Sequence, residues 1–339
     1  MNLHHEKYNR YALCREMLET TEVVRKFQPG PISSIQKVLS GKFESIFLTG
    51  EGSSRIFPAK NAMTQQFRRG GQLKPFTEGA TQALEYDLSK ALVLGSSNSG
   101  KTKEVIRLYQ KLKKEGHKGL LAVTAQASST LEGLSLHTHV LSCGGENAVA
   151  ATKSVVEQAL YVSCLLSVLN GTAVPSMEGL PEAVERSLTL CIDESLVKAA
   201  AKAKTLYFAG RNDGVAEELT LKTNEITRKK SDFLEGTYGV HGIEEVMEAG
   251  DVLVLINPFE SEEEKFETCL KAAAGVVIMA ISHRPTRFPT ILIPESRHWQ
   301  SVVELCAGWN LLVEIGLALG IDLDKPTRAR KVGNEYVAG

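Results

Sequence analysis

Short apolar runs alternate with stretches of helical period along most of this chain. Runs at 45–49, 91–95, 120–124 and 138–141 are brief, apolar and bounded by turn residues, which predicts buried strands. Between them lie helical stretches at about 55–67, 103–114 and 149–169. In the second of these, Val105, Ile106, Leu108, Tyr109 and Leu112 recur at helical spacing among charged residues. Gly171, Pro175, Gly179 and Pro181 mark a linker over 171–182. The pattern then restarts, with strands at 205–209, 252–256, 276–280 and 290–293 and helices at about 215–229, 262–273 and 299–319. Ahead of both halves, helices are expected at 4–27 and 33–39, separated by Pro29-Gly30-Pro31. Strands alternating with helices imply an α/β fold, a mainly parallel sheet covered on both faces. The repeated order, with a period of roughly 150 residues, predicts two similar domains related by a pseudo-two-fold axis.

Composition narrows the picture. A length of 339 residues suits two domains, and 43% hydrophobic with 23% charged residues is ordinary for a soluble globular chain. A formal net charge of −1 gives no general attraction to nucleic acid or acidic membranes, so neither is expected as a partner. The six cysteines lack C-x-x-C spacing and several lie in apolar runs, which predicts reduced core residues of a cytoplasmic protein. The first twenty residues do not resemble a signal peptide. No apolar run is expected to reach the roughly 18 residues that span a bilayer, and Glu314 interrupts the nearest one. No cluster has metal-ligand spacing, and no metal or cofactor is expected.

The candidate chemistry begins at Gly95-Ser96-Ser97-Asn98-Ser99-Gly100-Lys101-Thr102, between a strand and a helix. Free N–H groups and a partial positive charge at the helix start, with hydroxyls around the turn, make a seat for phosphate. The string also fits the nucleotide-binding pattern G-x-x-x-x-G-K-[ST]. That reading needs an apolar strand ending in an Asp for magnesium. The 252–256 strand is followed by Asn257, so nucleotide binding is the lesser alternative. The counterpart of the loop in the second half, around Asn257–Glu262, carries Pro, Phe and Glu, so one phosphate seat per chain is expected.

These motifs resemble the double SIS (sugar isomerase) domain family: the isomerase portion of glucosamine-6-phosphate synthase, tagatose-6-phosphate ketose/aldose isomerases, amino-sugar-phosphate deaminases and fructosamine-6-phosphate deglycases. Gly52-Ser53-Ser54 matches the G-[TS]-S turn of the family, and Ser97-Asn98-Ser99-Gly100-Lys101-Thr102 matches its S-x-S-G-x-T loop. Gly144 to Lys153 matches G-x-E-x-x-V-A-x-T-K with one Gly shifted and Ala151 where Ser is usual. Leu221-Lys222-Thr223-Asn224-Glu225 matches L-K-x-x-E, and His241-Gly242 follows sixteen positions past the Glu. Asp324 and Lys331 keep the seven-residue spacing of the family's tail. The resemblance implies two tandem SIS domains, each an α-β-α sandwich. The expected organisation is a helical arm at 1–40, a phosphate-binding domain at 41–172, a catalytic domain at 190–321 and a tail at 322–339.

The resemblance also implies roles. Ser53, Ser54, Ser97, Asn98, Ser99 and Thr102 would bind phosphate, and Glu146 and Val149 the rest of the substrate. Aldose–ketose isomerisation needs a carboxylate base, a ring-opening group and a donor for the developing oxyanion. Glu225 is the expected base, with His241 and Lys331 acting on the ring oxygen and the open-chain carbonyl. Glu218, Lys222 and Glu225 share one helix face, so Lys222 would orient Glu225 or bind a substrate oxygen. From spacing alone the three also fit a solvated ion-pair ladder on a surface helix. His241 would reach a neighbouring subunit, which implies a homodimer or larger assembly. Met1-Asn2-Leu3 has no nucleophilic Cys, so the complete synthase is not expected, which leaves isomerisation, deamination and deglycation open. A sugar-phosphate sensor without chemistry is the alternative from another class.

Overall fold

The computed structural model describes residues 1–39, 42–328 and 335–336. The helix expected over 4–27 is two helices, α1 (Glu6–Asn9) and α2 (Ala12–Lys26). The break coincides with a tertiary contact. The Asp324 carboxylate accepts from the N–H groups of Ala12 and Leu13, at 2.7 and 2.9 Å, and so caps a fresh helix start. After Pro29-Gly30-Pro31, α3 (Ile32–Leu39) follows.

The first sheet is built from β1 (Ser45–Gly50), β2 (Lys74–Thr77), β3 (Ala91–Ser96), β4 (Leu120–Thr124) and β5 (His137–Val140). All pairings are parallel, in the order β2-β1-β3-β4-β5. The helices beside it are α4 (Ile56–Arg69), the short α5 (Ala80–Ala83), α6 (Lys103–Lys114), the short α7 (Thr130–Leu134) and α8 (Lys153–Leu169). The five α6 residues that mark helical spacing in the sequence are all buried, against Phe47, Val93 and Ala122 of the sheet. β2 goes beyond the sequence reading. It is a four-residue edge strand containing Pro75, and a Pro is tolerated in a sheet only where its missing N–H faces away from a partner.

The second half repeats this plan. Helices α9 (Leu180–Thr189) and α10 (Glu194–Lys202) precede β6 (Thr205–Gly210), α11 (Val215–Thr227), β7 (Lys230–Glu235) and β8 (Val252–Ile256). Then come α12 (Glu263–Phe266), β9 (Val277–Ser282), β10 (Thr290–Leu292) and α13 (Gln300–Ala318). The parallel order β10-β9-β8-β6-β7 has the same topology as the first sheet, so the internal repeat is structural. Its edge strand β7, Lys230-Ser231-Asp232-Phe233-Leu234-Glu235, is again the one the sequence pattern hides, because an edge strand with an exposed face is free to be polar. The stretch expected as one helix at 262–273 changes pitch twice, from a 3-10 turn at Glu260–Glu262 through α12 to a π-helical Glu267–Ala272.

The segment Arg297–Ala318 is long and apolar enough to cross a membrane, which corrects the expectation that nothing reaches that length. Acidic residues interrupt the apolar run but not the helix, and 83% of its most apolar window is buried, as in a core helix. All six cysteines are free, and Cys14, Cys143, Cys164 and Cys306 are buried.

Two compact units result, each around one sheet. The first comprises Lys26–Gly145, Lys153–Ser176 and Val332–Gly339, and the second comprises Met1–Arg25, Glu146–Thr152 and Met177–Lys331.

Candidate functional site

In the first unit, the order in which strands are added to the parallel sheet reverses at β1. From β1 the chain passes through α4 to β2 on one side, and β3 lies on the other. Such a switch point leaves a crevice beyond the carboxyl ends of the two strands, where ligands of open α/β sheets bind. The Gly52–Ser54 turn leaves β1 at this point, and Ser96–Thr102 leaves β3. The two are drawn close by a glycine: a Cβ at Gly50 would come within 2.8 Å of the Ser96 carbonyl oxygen and 3.2 Å of that of Ser54.

Within the loop, Ser97 Oγ lies 2.7 Å from Thr102 Oγ1 and accepts from the Thr102 N–H at 3.3 Å. Ser99 Oγ accepts from the Lys101 N–H at 3.2 Å. Gly100 turns the chain at φ +63°, and a Cβ there would meet Ser129. Ser53 and Ser97 are buried, whereas Ser54, Ser99 and Thr102 are half-exposed. The Asn98 amide nitrogen donates to Ser154 Oγ of α8 at 2.9 Å, and the Asn98 carbonyl accepts from the Ala125 N–H at 2.9 Å. Asn98 therefore braces the loop against its neighbours. Two further features escape sequence reasoning. The Tyr109 hydroxyl accepts from the Gly95 N–H and donates to the Leu121 carbonyl, against the β3–β4 ladder just beneath the loop. On the outer side Glu335 pairs with Thr102, the Tyr336 N–H donates to the Lys101 carbonyl at 2.8 Å, and Gln110 donates to the Tyr336 hydroxyl at 2.9 Å. Lys331 lies outside the described residues.

In the second unit, α11 carries Glu218, Lys222 and Glu225. Lys222 Nζ lies 2.7 Å from Glu225 Oε2 and 3.4 Å from Glu218 Oε1. The Lys222 and Glu218 side chains are 1% and 0% exposed, while that of Glu225 is 22% exposed. The solvated-ladder alternative is thereby excluded: the lysine is enclosed between two carboxylates, one of which reaches solvent. Burial pulls the Lys222 pKa down, but Glu218 and Glu225 outweigh it and hold the ammonium above the ordinary lysine value.

His241 follows the 3-10 turn Tyr238–Val240 in a loop that turns on Gly236 and Gly242, both at positive φ. Its ring is exposed, with Nε2 3.1 Å from Lys265 Nζ. Glu146 is buried, and its carboxylate accepts from the Thr152 N–H and hydroxyl at 2.7 and 3.0 Å, so it folds back on its own loop. Val149 is half-buried there. His137 and His139 lie on the edge strand β5. His139 stacks on Tyr161 with ring centroids 4.0 Å apart, and burial pulls its pKa down to about 4. Among the described residues no three His, Cys, Asp or Glu side chains are grouped to hold a metal ion.

This is a tandem SIS fold: two parallel five-stranded sheets flanked by helices, with a hydroxyl-lined loop at the switch point of the first. No known family's sequence profile matches the chain. Its homologues are the isomerase portion of glutamine–fructose-6-phosphate aminotransferases. With the isomerizing glutamine–fructose-6-phosphate aminotransferase of Thermococcus kodakarensis it is 27% identical over 353 aligned positions, which cover 95% of this chain. The match spans 57% of that relative's length. Among solved structures, the C-terminal domain of glucosamine-fructose-6-phosphate aminotransferase from Francisella tularensis superposes with a TM-score of 0.81 at 18% identity, covering 95% of this chain and 100% of that one. Tagatose-6-phosphate ketose/aldose isomerase from Escherichia coli superposes with a TM-score of 0.77 at 15% identity, covering 95% and 98%.

Proposed function

We propose that this chain is a phosphosugar isomerase, or a deaminase or deglycase of an amino-sugar phosphate that uses the same proton transfer. The observation that carries the reading is the pair Lys222–Glu225: a carboxylate with access to solvent, oriented from behind by an enclosed ammonium. In this reading Ser53, Ser54, Ser97, Ser99 and Thr102 hold the phosphate. Asn98 shapes their loop. Glu146 and Val149 meet the sugar.

The chemistry follows from these roles. His241 passes a proton to or from the ring oxygen, and the hemiacetal opens to a carbonyl. Glu225 removes the proton from the carbon beside the carbonyl. The electron pair of that C–H bond forms the C1–C2 double bond while the carbonyl π pair moves onto its oxygen, which takes up a proton to give an enediol, or an enolamine when nitrogen replaces oxygen. Glu225 returns its proton to the neighbouring carbon as the other hydroxyl gives up its proton and becomes the new carbonyl, which completes the isomerisation. The Lys222 side chain is enclosed at 1% exposure, so its part is to hold and aim Glu225 rather than to touch a substrate oxygen. Lys331 is the proposed partner of the open-chain carbonyl. A homodimer in which His241 serves the partner subunit's site completes the proposal.

The test is a turnover and binding screen of hexose 6-phosphates, amino-sugar 6-phosphates and fructosamine 6-phosphates, with ATP and magnesium as a control, on the wild type and Glu225→Gln. The expected result is binding by both proteins and ketose, aldose or ammonia release by the wild type alone. Binding without turnover in either would make the chain a sensor, and binding of ATP with magnesium alone would return the loop to a nucleotide site.

A further inference from the structure

The stretch from Ser142 to Thr152 contains no helix or strand, so no strand or helix ladder fixes the shape of the segment that carries Glu146 and Val149. Carboxylates do this instead. Glu146 closes on Thr152. Glu16, on α2, accepts from two successive N–H groups with its two oxygens: Oε1 from Asn147, and Oε2 from Ala148 at 3.2 Å. Glu16 is only 4% exposed. A buried anion of this kind is retained where several N–H groups converge on it.

Glu16 is itself held firmly. It lies one turn into α2, whose first N–H groups are capped by Asp324, and its neighbours Leu13, Cys14 and Met17 are buried. The loop is thus referred to a rigid helix rather than to solvent.

We propose that Glu16 is a positioning residue for the loop Glu146–Thr152, fixing the backbone shape in which Glu146 and Val149 meet the sugar. The inference rests on the sugar-phosphate reading above and adds a residue of the N-terminal helical arm to it. A carboxylate is required because both oxygens must accept. In Glu16→Gln the amide NH2 faces one N–H donor with another donor, and one loop bond is lost.

The experiment separates the loop from the phosphate seat by using two probes, inorganic phosphate and fructose 6-phosphate, in calorimetric titrations of the wild type, Glu16→Gln and Glu16→Asp. The wild type is expected to bind both. Glu16→Gln is expected to bind phosphate within about twofold of wild type and fructose 6-phosphate about tenfold more weakly, with Glu16→Asp between them. Hydrogen exchange at the Asn147 and Ala148 amides of the wild type is expected to slow with fructose 6-phosphate and not with phosphate. The proposal is overturned by a Glu16→Gln protein that binds fructose 6-phosphate as the wild type does, or that loses both probes alike, since the second marks a general defect. If Glu16→Gln does not fold, the wild-type exchange decides, and unchanged exchange at both amides overturns the proposal. A wild type that binds neither probe removes the underlying reading, and this inference with it.

Discussion

At the scale of the single residue, Lys222 shows how burial changes the meaning of a charge pattern. Three alternating charges on a helix would contribute little if solvated. Enclosed, each depends on the others. In Lys222→Met the Glu218 carboxylate is left buried without its cation, at a cost of about 3–5 kcal/mol. The pH dependence has a definite sign. In the wild type the Lys222 pKa is raised above 10.5, so its contribution is complete below that pH and is lost only as pH rises through the folded value. The variant instead holds a buried carboxylate that resists ionisation, so its deficit is larger at pH 8 than at pH 5. Urea unfolding of both proteins at the two pH values measures this, and equal deficits would show that Glu218 does not rely on Lys222. The spacing that puts Glu218, Lys222 and Glu225 on one face is legible in the sequence. Which way that face points is not, because it depends on what packs over α11.

At the scale of the element, the loop 96–102 is held from below by a helix. Tyr109 reads in the sequence as one more apolar position of α6, and it is indeed in the core. Its hydroxyl, however, reaches the sheet at Gly95, and a Cβ there would lie 2.7 Å from that oxygen and 2.8 Å from ring carbons. Gly95→Ala is therefore expected to cost about 1–3 kcal/mol through overpacking. Tyr109→Leu should cost less in the Gly95→Ala background than alone, since it removes the clash as well as the bonds. A double-mutant cycle by urea unfolding tests the pair, and strict additivity would mean that the two do not contact in solution. A glycine at the end of a strand suggests a close approach in any sequence. That the approach comes from a tyrosine fourteen residues later is a fact of helix-on-sheet packing.

At the scale of the whole molecule, the proposed dimer makes a prediction that no single subunit can imitate. If His241 serves the partner's site, Glu225→Gln and His241→Asn are each inactive, and a mixed dimer of the two regains one intact site. Unfolding and refolding them together in equal amounts is expected to restore about a quarter of wild-type activity, the share set by random pairing of subunits. No recovery from a verified mixed dimer would place His241 with its own Glu225 or outside the chemistry altogether.

Local chemistry was enough for much of this protein. The central strands, the amphipathic helices, the internal repeat and the position of the 96–102 loop between strand and helix follow from periodicity and turn residues, which act over a few neighbours. The edge strands β2 and β7 did not, because an edge strand needs only one partner and tolerates Pro75 or a polar face. The buried acids were also hidden. Glu16 and Glu218 look like surface residues in sequence, although an acid among Leu13, Cys14 and Met17 on the buried side of α2 is a signal that could have been read. Only tertiary structure decides that Glu218 and Lys222 are enclosed together, and that Glu16 faces the N–H groups of Asn147 and Ala148 in a distant loop. The reason is physical. Periodicity and spacing report which residues share a face of an element, whereas what covers that face, and for Glu16 the N–H groups that its carboxylate accepts from, comes from elsewhere in the chain.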